Sequence, residues 1–362
     1  MKTWHYIVVV VFLILSSCVT HEGLISMSSS GKFQITTIQL KGAVFSSPIQ
    51  VGYNSVVLGT HRRSIYFLTP DSIMNMFRTK FWVHATPAIV YDSLVSIGSY
   101  DGNMYFFNQR GDLKKKVRPG GRIFTNPVQL DSLWMVFATG LKGLCYYNLA
   151  TDSLFSSKIN HLTHGSPMVL GDKEVCVGSN DKTLYFFDKV GNILSSYKTG
   201  GWIMHSKPMA QCDSVVVVGS YDNNIYSVSS RGRLMWAFKT NGKIHASPQQ
   251  FSNGNIICGS FDKNIYVLDK NGHEVGRVQT GDKVISSAAI IDGKYAVVGS
   301  CDGNLYIIDA KGNVLDSVPV GGRIFSSPIS LSDGSIFCAT MKGSAMFIRL
   351  ADYYNTPSSQ KL

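Results

Sequence analysis

The sequence contains almost no glutamate: Glu22, Glu174 and Glu274 are the only three in 362 residues. The 34 Lys and Arg therefore outnumber the 23 Asp and Glu, and the net charge is +11. With so few carboxylates, no isolated pair stands out for general acid–base work. The seven cysteines include no adjacent pair and no Cys-x-x-Cys, which leaves no zinc-type cluster. No glycine-rich phosphate loop is present, and no Ser/His/Asp or Cys/His set has spacing that argues for nucleophilic catalysis. Helical periodicity does not persist beyond a turn anywhere in the body of the chain. A membrane-spanning helix needs about 20 apolar residues, and the run Ile7–Leu15 has nine.

That short run, with Lys2 ahead of it, reads as the h-region of a signal peptide over residues 1–17. Leu15-Ser16-Ser17-Cys18 follows and resembles the lipobox of bacterial lipoproteins, in which the cysteine is acylated and becomes the new N-terminus. The competing reading is a plain secreted protein with an incidental cysteine. Residues 18–32 are small and polar and read as the lipidated cysteine plus a flexible tether. Val19 stands where an aspartate would resemble an inner-membrane retention signal, which points to the outer membrane. Of the other cysteines, Cys176, Cys258 and Cys338 fall in apolar strand patterns and are expected as buried free thiols.

What the chain has in abundance is repetition. Gly-Ser or a close relative opens a hairpin at residues 59, 98, 138, 178, 219, 259, 299 and 339, at spacings of 39 to 41. A second landmark keeps the same rhythm: Pro48, Pro87, Pro127, Pro167, Pro208, Pro248, Ala288 and Pro328. Within one period, residues 243–279 show four short strand-like segments, KIHASPQQ, NIICGS, NIYVLD and EVGRVQT, here called A to D. The turns SNG, FDKN and KNG divide them. A four-stranded antiparallel unit of about 40 residues, repeated, is the signature of a β-propeller blade. The spacing predicts an all-β, eight-bladed propeller over residues 33–350 with a polar tail at 351–362. The last repeat lacks a D segment and FQITTIQL (33–40) is a D segment without a blade, so the N-terminal strand is expected to complete blade 8.

The stretch GSCDGNLYIIDAKGNVLDSVPVGGRIFSSP (299–328) resembles the PQQ-like propeller repeat, and the likeness extends over nearly all of 33–350. Two families share that repeat: quinoprotein dehydrogenases, which hold pyrroloquinoline quinone and calcium, and non-catalytic lipoproteins of the BamB type, accessory to outer-membrane β-barrel assembly. The dehydrogenase pattern implies a repeated outer-strand tryptophan, a Cys-Cys pair and calcium ligands. Here only Trp236 holds the tryptophan position and no Cys-Cys occurs, so quinone and calcium are not expected. The BamB-type resemblance implies a membrane-anchored interaction scaffold.

Four histidines, His84, His164, His205 and His245, share one slot three residues before the landmark, where other repeats carry Phe45, Phe124, Ile285 and Phe325. Two readings stand: a core position that accepts a flat ring, or a metal site from His164, His205 and His245. Equivalent positions on adjacent blades lie about 8–10 Å apart, which argues against shared ligation at about 2.1 Å unless the side chains reach inward. The repeated Tyr of segment C and Asp of the B–C turn read as packing and turn residues.

Repeats 1, 3 and 8 lose the turn Asp and become basic. Lys41, Arg62, Arg63, Arg122, Lys142, Arg323 and Lys342 fall in B–C turns and D–A links, which share the top face of a propeller. These are the candidate partner-binding residues, and a basic face attracts acidic partners. The run Lys114-Lys115-Lys116-Val117-Arg118 belongs to an outer strand, where charge guards an edge. The expected function is a non-catalytic, lipid-anchored scaffold of the bacterial envelope, a monomeric ring within a complex, that binds an acidic envelope protein. The alternative is a protein that binds or degrades anionic polysaccharide. Nucleic acid is not an expected partner outside the cytoplasm.

Overall fold

A computed structural model describes residues 23–30, 32–157, 163–171 and 174–350. The expected signal peptide, Cys18 and the 351–362 tail lie outside the described residues. Eight antiparallel sheets form the eight blades, and no helix occurs among the described residues. Blade 5 is representative: A is Met209–Cys212, B is Val215–Gly219, C is Asn224–Ser229 and D is Leu234–Lys239. Strands B and C are buried on both faces, whereas D alternates between exposed and half-buried, as an outer strand should.

The core is divided by blade junction. Eight hydrophobic clusters are present, and each draws its members from two neighbouring blades. Six of the eight junctions are set by one repeated contact. The glycine that ends strand B receives a β-branched residue from the segment entering the next blade. A Cβ on Gly219 would stand 2.1 Å from Ile244 Cγ2, and one on Gly178 would stand 2.0 Å from Ile203 Cγ2. Gly59, Gly98, Gly259 and Gly299 meet Val83, Ile123, Val284 and Ile324 in the same way. The backbone N–H of that residue donates to the serine or threonine carbonyl after the glycine, as in Ile203 to Ser179 at 3.1 Å and Val284 to Ser260 at 3.0 Å. At the blade 3–4 and 8–1 junctions alanine (Ala138, Ala339) replaces glycine, and at the second of these Val44 N–H lies 3.4 Å from the Thr340 carbonyl, the longest of the set.

The ring closes as the repeat arithmetic predicts. Phe33–Gln39 pairs with Ser344–Leu350 from Phe33↔Leu350 to Gln39↔Ser344, supplying the fourth strand of blade 8. One expectation needs correction. The 18–32 segment was expected to be a tether, yet Ile25–Ser30 forms a fifth strand outside Phe33–Gln39, in register from Ile25↔Ile38 to Ser30↔Phe33. The closing strand otherwise presents a bare edge of N–H and C=O groups. Pairing with the preceding strand satisfies them without needing apolar burial, which is why a serine-rich segment suffices. Cys145, Cys176, Cys258, Cys301 and Cys338 are buried free thiols, and Cys212 is free and exposed.

The glycine contact has a direct test. Gly219→Ala should cost about 1–3 kcal/mol by overpacking. In an Ile244→Ala background the same change should cost clearly less, because the clashing methyl is gone. Denaturant titrations of the four chains read this directly, and equal costs in both backgrounds would mean that Ile244 is not the obstacle.

Candidate functional site

The D–A links and B–C turns gather on one face, and the axial channel opens between them. Three repeated positions line this region. The histidine slot lies just before strand A, and its rings point to the axis. His205 and His245 stack at a centroid distance of 4.5 Å, His164 and His205 lie 5.5 Å apart, and His84 and His205 lie 5.4 Å apart across the channel. Phe325 packs edge-on against His245 at 5.1 Å and against Phe45 at 4.7 Å. The 8–10 Å separation expected from sheet packing therefore fails for the side chains, since the slot precedes the strand and the rings reach inward to plug the channel. His205 takes φ 65°, a left-handed conformation that costs a non-glycine residue energy.

The contacts of these rings are those of packed groups. His84 Nδ1 lies 3.1 Å from His61 Nε2, and Asn180 Nδ2 lies 2.9 Å from His164 Nδ1. Among the described residues no set of three His, Cys, Asp or Glu side chains is arranged to hold a metal ion. The structure brings His164, His205 and His245 together as neighbouring rings rather than as convergent ligands. Burial lowers the pKa of His61 to about 4, and burial with the neighbouring His84 lowers His245 to about 3. His84 and His205 are also held well below 6.5, first by burial, then by His205, His61 and His164 in the case of His84 and by His245 and His164 in the case of His205.

Two residues after the slot runs a polar ring that the sequence reading overlooked. Asn126 N–H donates to Ser166 Oγ at 3.0 Å, and Lys207 N–H donates to Ser247 Oγ at 2.9 Å. Ser247 donates to Ser287 Oγ, Ser287 to Ser327 Oγ, and Ser327 to Ser47 Oγ, at 2.8, 2.9 and 2.9 Å. Each bond ties one blade to the next. Lys207 interrupts the ring because an ammonium cannot accept, and burial lowers its pKa. Slot and ring together enclose a cavity of about 180 Å³. None of its lining residues is a carboxylate.

Around the mouth stands an aromatic platform, made by the residue after each Gly-Ser and by the D–A links. His61 stacks on Trp82 at 4.8 Å, Trp82 lies 6.0 Å from Tyr100, and Tyr221 lies 6.1 Å from Phe261. Trp82 and Trp202 are 42% and 48% exposed, and Leu141 is 81% exposed. Cations cover the platform: Arg122 over Phe81 at 5.8 Å, Lys243 over Tyr221 at 5.3 Å and Lys283 over Phe261 at 5.3 Å. A groove of about 390 Å³ between Tyr100, Arg122, Phe124, Leu141 and His164 leads from rim to channel. A forty-residue alignment of the position after Gly-Ser (His61, Tyr100, Tyr221, Phe261) would have revealed the platform.

The candidate basic residues fall into two groups. Lys41, Arg62, Lys342 and Arg323 share the blade 8–1 sector. The Arg62 stem lies over Gly42, Gln39 Nε2 donates to the Lys342 carbonyl at 2.9 Å, and Met341 N–H donates to the Arg323 carbonyl at 2.9 Å. Arg63 is exposed beside Arg62. Arg122 and Lys142 sit together at blade 3, where Gly140 N–H donates to the Arg122 carbonyl at 2.9 Å and the Lys142 stem packs on Gly120. Arg62, Arg63, Arg122 and Lys142 make no ion pair among the described residues, whereas Arg323 lies 3.5 Å from Asp282. The turn aspartates are committed elsewhere. Asp101 accepts from Asn103, Lys80 N–H and Tyr105, and although burial opposes ionisation these bonds lower its pKa. Asp222, Asp262 and Asp302 repeat the pattern.

Comparison with known proteins agrees with this architecture. A family profile described as Lambda-carrageenase beta-propeller domain matches residues 216–289, from strand B of blade 5 into blade 7. No curated protein matches the chain. Among solved structures, BamB from Moraxella catarrhalis superposes with TM-score 0.70 at 13% identity, covering 92% of this chain and 100% of that one. The computationally designed Ika8 gives 0.72 at 16% identity over 86% and 98% of the two chains, and Sqt1 of Saccharomyces cerevisiae gives 0.72 at 13% over 85% and 96%. At these identities the likeness establishes the fold. The chain is an eight-bladed β-propeller, similar in architecture to BamB, as its repeats led us to expect.

Neutral buried imidazoles tie stability to pH. Their folded pKa values lie below the unfolded value of 6.5, so between pH 6.5 and about 4 the unfolded chain binds more protons than the folded one. Stability is thus complete above pH 6.5 and falls as the pH drops, each such histidine adding up to ~1.4 kcal/mol per pH unit to the slope. His245→Phe, a residue other blades carry in this slot, should make the decline between pH 6.5 and 4.5 shallower. Unfolding titrations at several pH values measure it, and an unchanged slope would contradict the assignment of His245 as a neutral core ring.

Proposed function

We propose that this protein is a non-catalytic interaction scaffold of the bacterial envelope, anchored through an acylated Cys18 and docking an acidic partner protein on its top face. The observation that carries the reading is the face itself. Exposed Trp82, Trp202 and Leu141 stand among Arg62, Arg63, Arg122 and Lys142, cations with no ion-pair partner among the described residues. Aromatic and arginine side chains that meet a partner together are the usual anchors of an interface, and unpaired cations steer an acidic surface toward it. The architectural likeness to BamB supports an envelope role, the lipobox-like Leu15-Ser16-Ser17-Cys18 supports lipid anchoring, and Val19 after the cysteine supports the outer membrane. The donor set of the channel suits neither calcium nor a calcium-held quinone. Calcium takes carboxylate and carbonyl oxygens, and the channel is lined by imidazole, hydroxyl, amide and ammonium groups.

A second reading has its own support. The profile match at 216–289 belongs to a carrageenase propeller, and stacked aromatics with overlying cations suit an anionic polysaccharide.

In-cell crosslinking followed by affinity purification separates the two. The native chain should recover one envelope protein that an Arg62→Glu, Arg63→Glu, Lys342→Glu variant loses. Recovery of no protein by either chain, together with retention of the purified native chain on λ-carrageenan, would replace the scaffold with the polysaccharide reading. Recovery of the same partner by both chains would move the docking site off the blade 8–1 sector.

A further inference from the structure

We propose that the axial channel is a binding site for a small free oxyanion of the phosphate or sulfate class, with Lys207 as its charged ligand. The site is separate from the top-face cations and does not depend on the docking role.

The argument starts from the inventory of hydrogen-bonding groups. In the polar ring, Ser47, Ser166, Ser247, Ser287 and Ser327 each use a hydroxyl lone pair to accept a backbone N–H from the preceding blade. Each therefore keeps its O–H as a donor. Asn126 behaves likewise: its Oδ1 accepts from Thr86 N–H at 2.8 Å, leaving the amide NH2 free to donate. His164 engages the Asn180 amide through Nδ1 and lines the cavity. Lys207 adds three more donors and a charge. It forms no ion pair among the described residues, and no carboxylate lines the cavity. A buried ammonium without a counter-charge is unfavourable, and burial lowers its pKa accordingly. A cavity of about 180 Å³ leaves room for a tetrahedral oxyanion.

Blade 5 also departs from its neighbours at both channel positions. Lys207 replaces the hydroxyl or amide residue of the other blades, breaking the circumferential bonding, and His205 holds a left-handed backbone. Met204 is an extra residue between Ile203 and His205 that accounts for the left-handed backbone, and the cation without a counter-charge is what marks a site. The chemistry selects by charge: a cavity with an ammonium, several hydroxyl and amide donors and no carboxylate favours oxygen anions over metal cations.

The test uses the purified chain with inorganic phosphate and, separately, sodium sulfate as probes in isothermal titration calorimetry. We expect one ion per chain. Lys207→Gln should weaken binding at least about tenfold, and Lys116→Gln, which removes the same charge from the exposed outer strand of blade 2, should leave it unchanged. Location is read independently on the native chain, where phosphate should shift the imidazole NMR signals of His164 and His205 but not that of exposed His273. Absence of binding by both anions at millimolar concentration overturns the proposal. So does equal affinity in Lys207→Gln, or binding that leaves the His164 and His205 signals in place.

Discussion

Everything in this molecule depends on how one blade seats against the next, and that seat is a glycine at the end of strand B facing a β-branched side chain from the following blade. The approach is too close for any Cβ: Ile203 and Ile244 come within about 2 Å of where one would be on Gly178 and Gly219. Because the same contact recurs around the ring, the angle between blades is set locally, and eight repetitions with a borrowed N-terminal strand bring the ends together. A closed ring in turn fixes the axis. At most blades the residue after the interlocking isoleucine or valine is the one that points down the channel, so the contact that builds the propeller also aims His84 and His245, while blade 5 carries an extra residue, Met204, between Ile203 and His205.

Regularity and function divide along this scaffold. Where the repeat is obeyed, its polar groups are spent on the fold: turn aspartates hold the tyrosine hydroxyl and the neighbouring link, and ring serines hold the next blade. Where it is broken, charge is left over. Blades 1, 3 and 8 trade the turn aspartate for cations on the top face, and blade 5 trades a ring hydroxyl for Lys207. The two surpluses differ in kind. The top-face cations are solvated and act at long range, whereas Lys207 is half-buried in the channel, where a single partner matters more.

Much of this was legible beforehand, because a forty-residue period is a strong constraint. Blade number, the closing strand and the basic B–C turns all follow from counting between Gly-Ser pairs. What escaped notice was information held in side-chain direction and in main-chain pairing. The slot histidines looked too far apart because strand spacing describes backbones, while their rings converge from the segment before the strand. Ile25–Ser30 looked like a tether since edge pairing needs backbone groups and little hydrophobicity. Lys207 and the aromatics after Gly-Ser were visible as letters, yet their meaning depends on a ring of neighbours contributed by residues 40 positions apart.

The central claim is that the top face is an occupied docking surface in the cell. Hydroxyl-radical footprinting, comparing intact cells with the purified chain, tests it without requiring the partner's identity. The account predicts that Trp82, Trp202 and Leu141 are oxidised less in cells, while the equally exposed outer-strand residues Met235 and Val314 are oxidised alike in both. Equal oxidation of the top face in the two settings would contradict it.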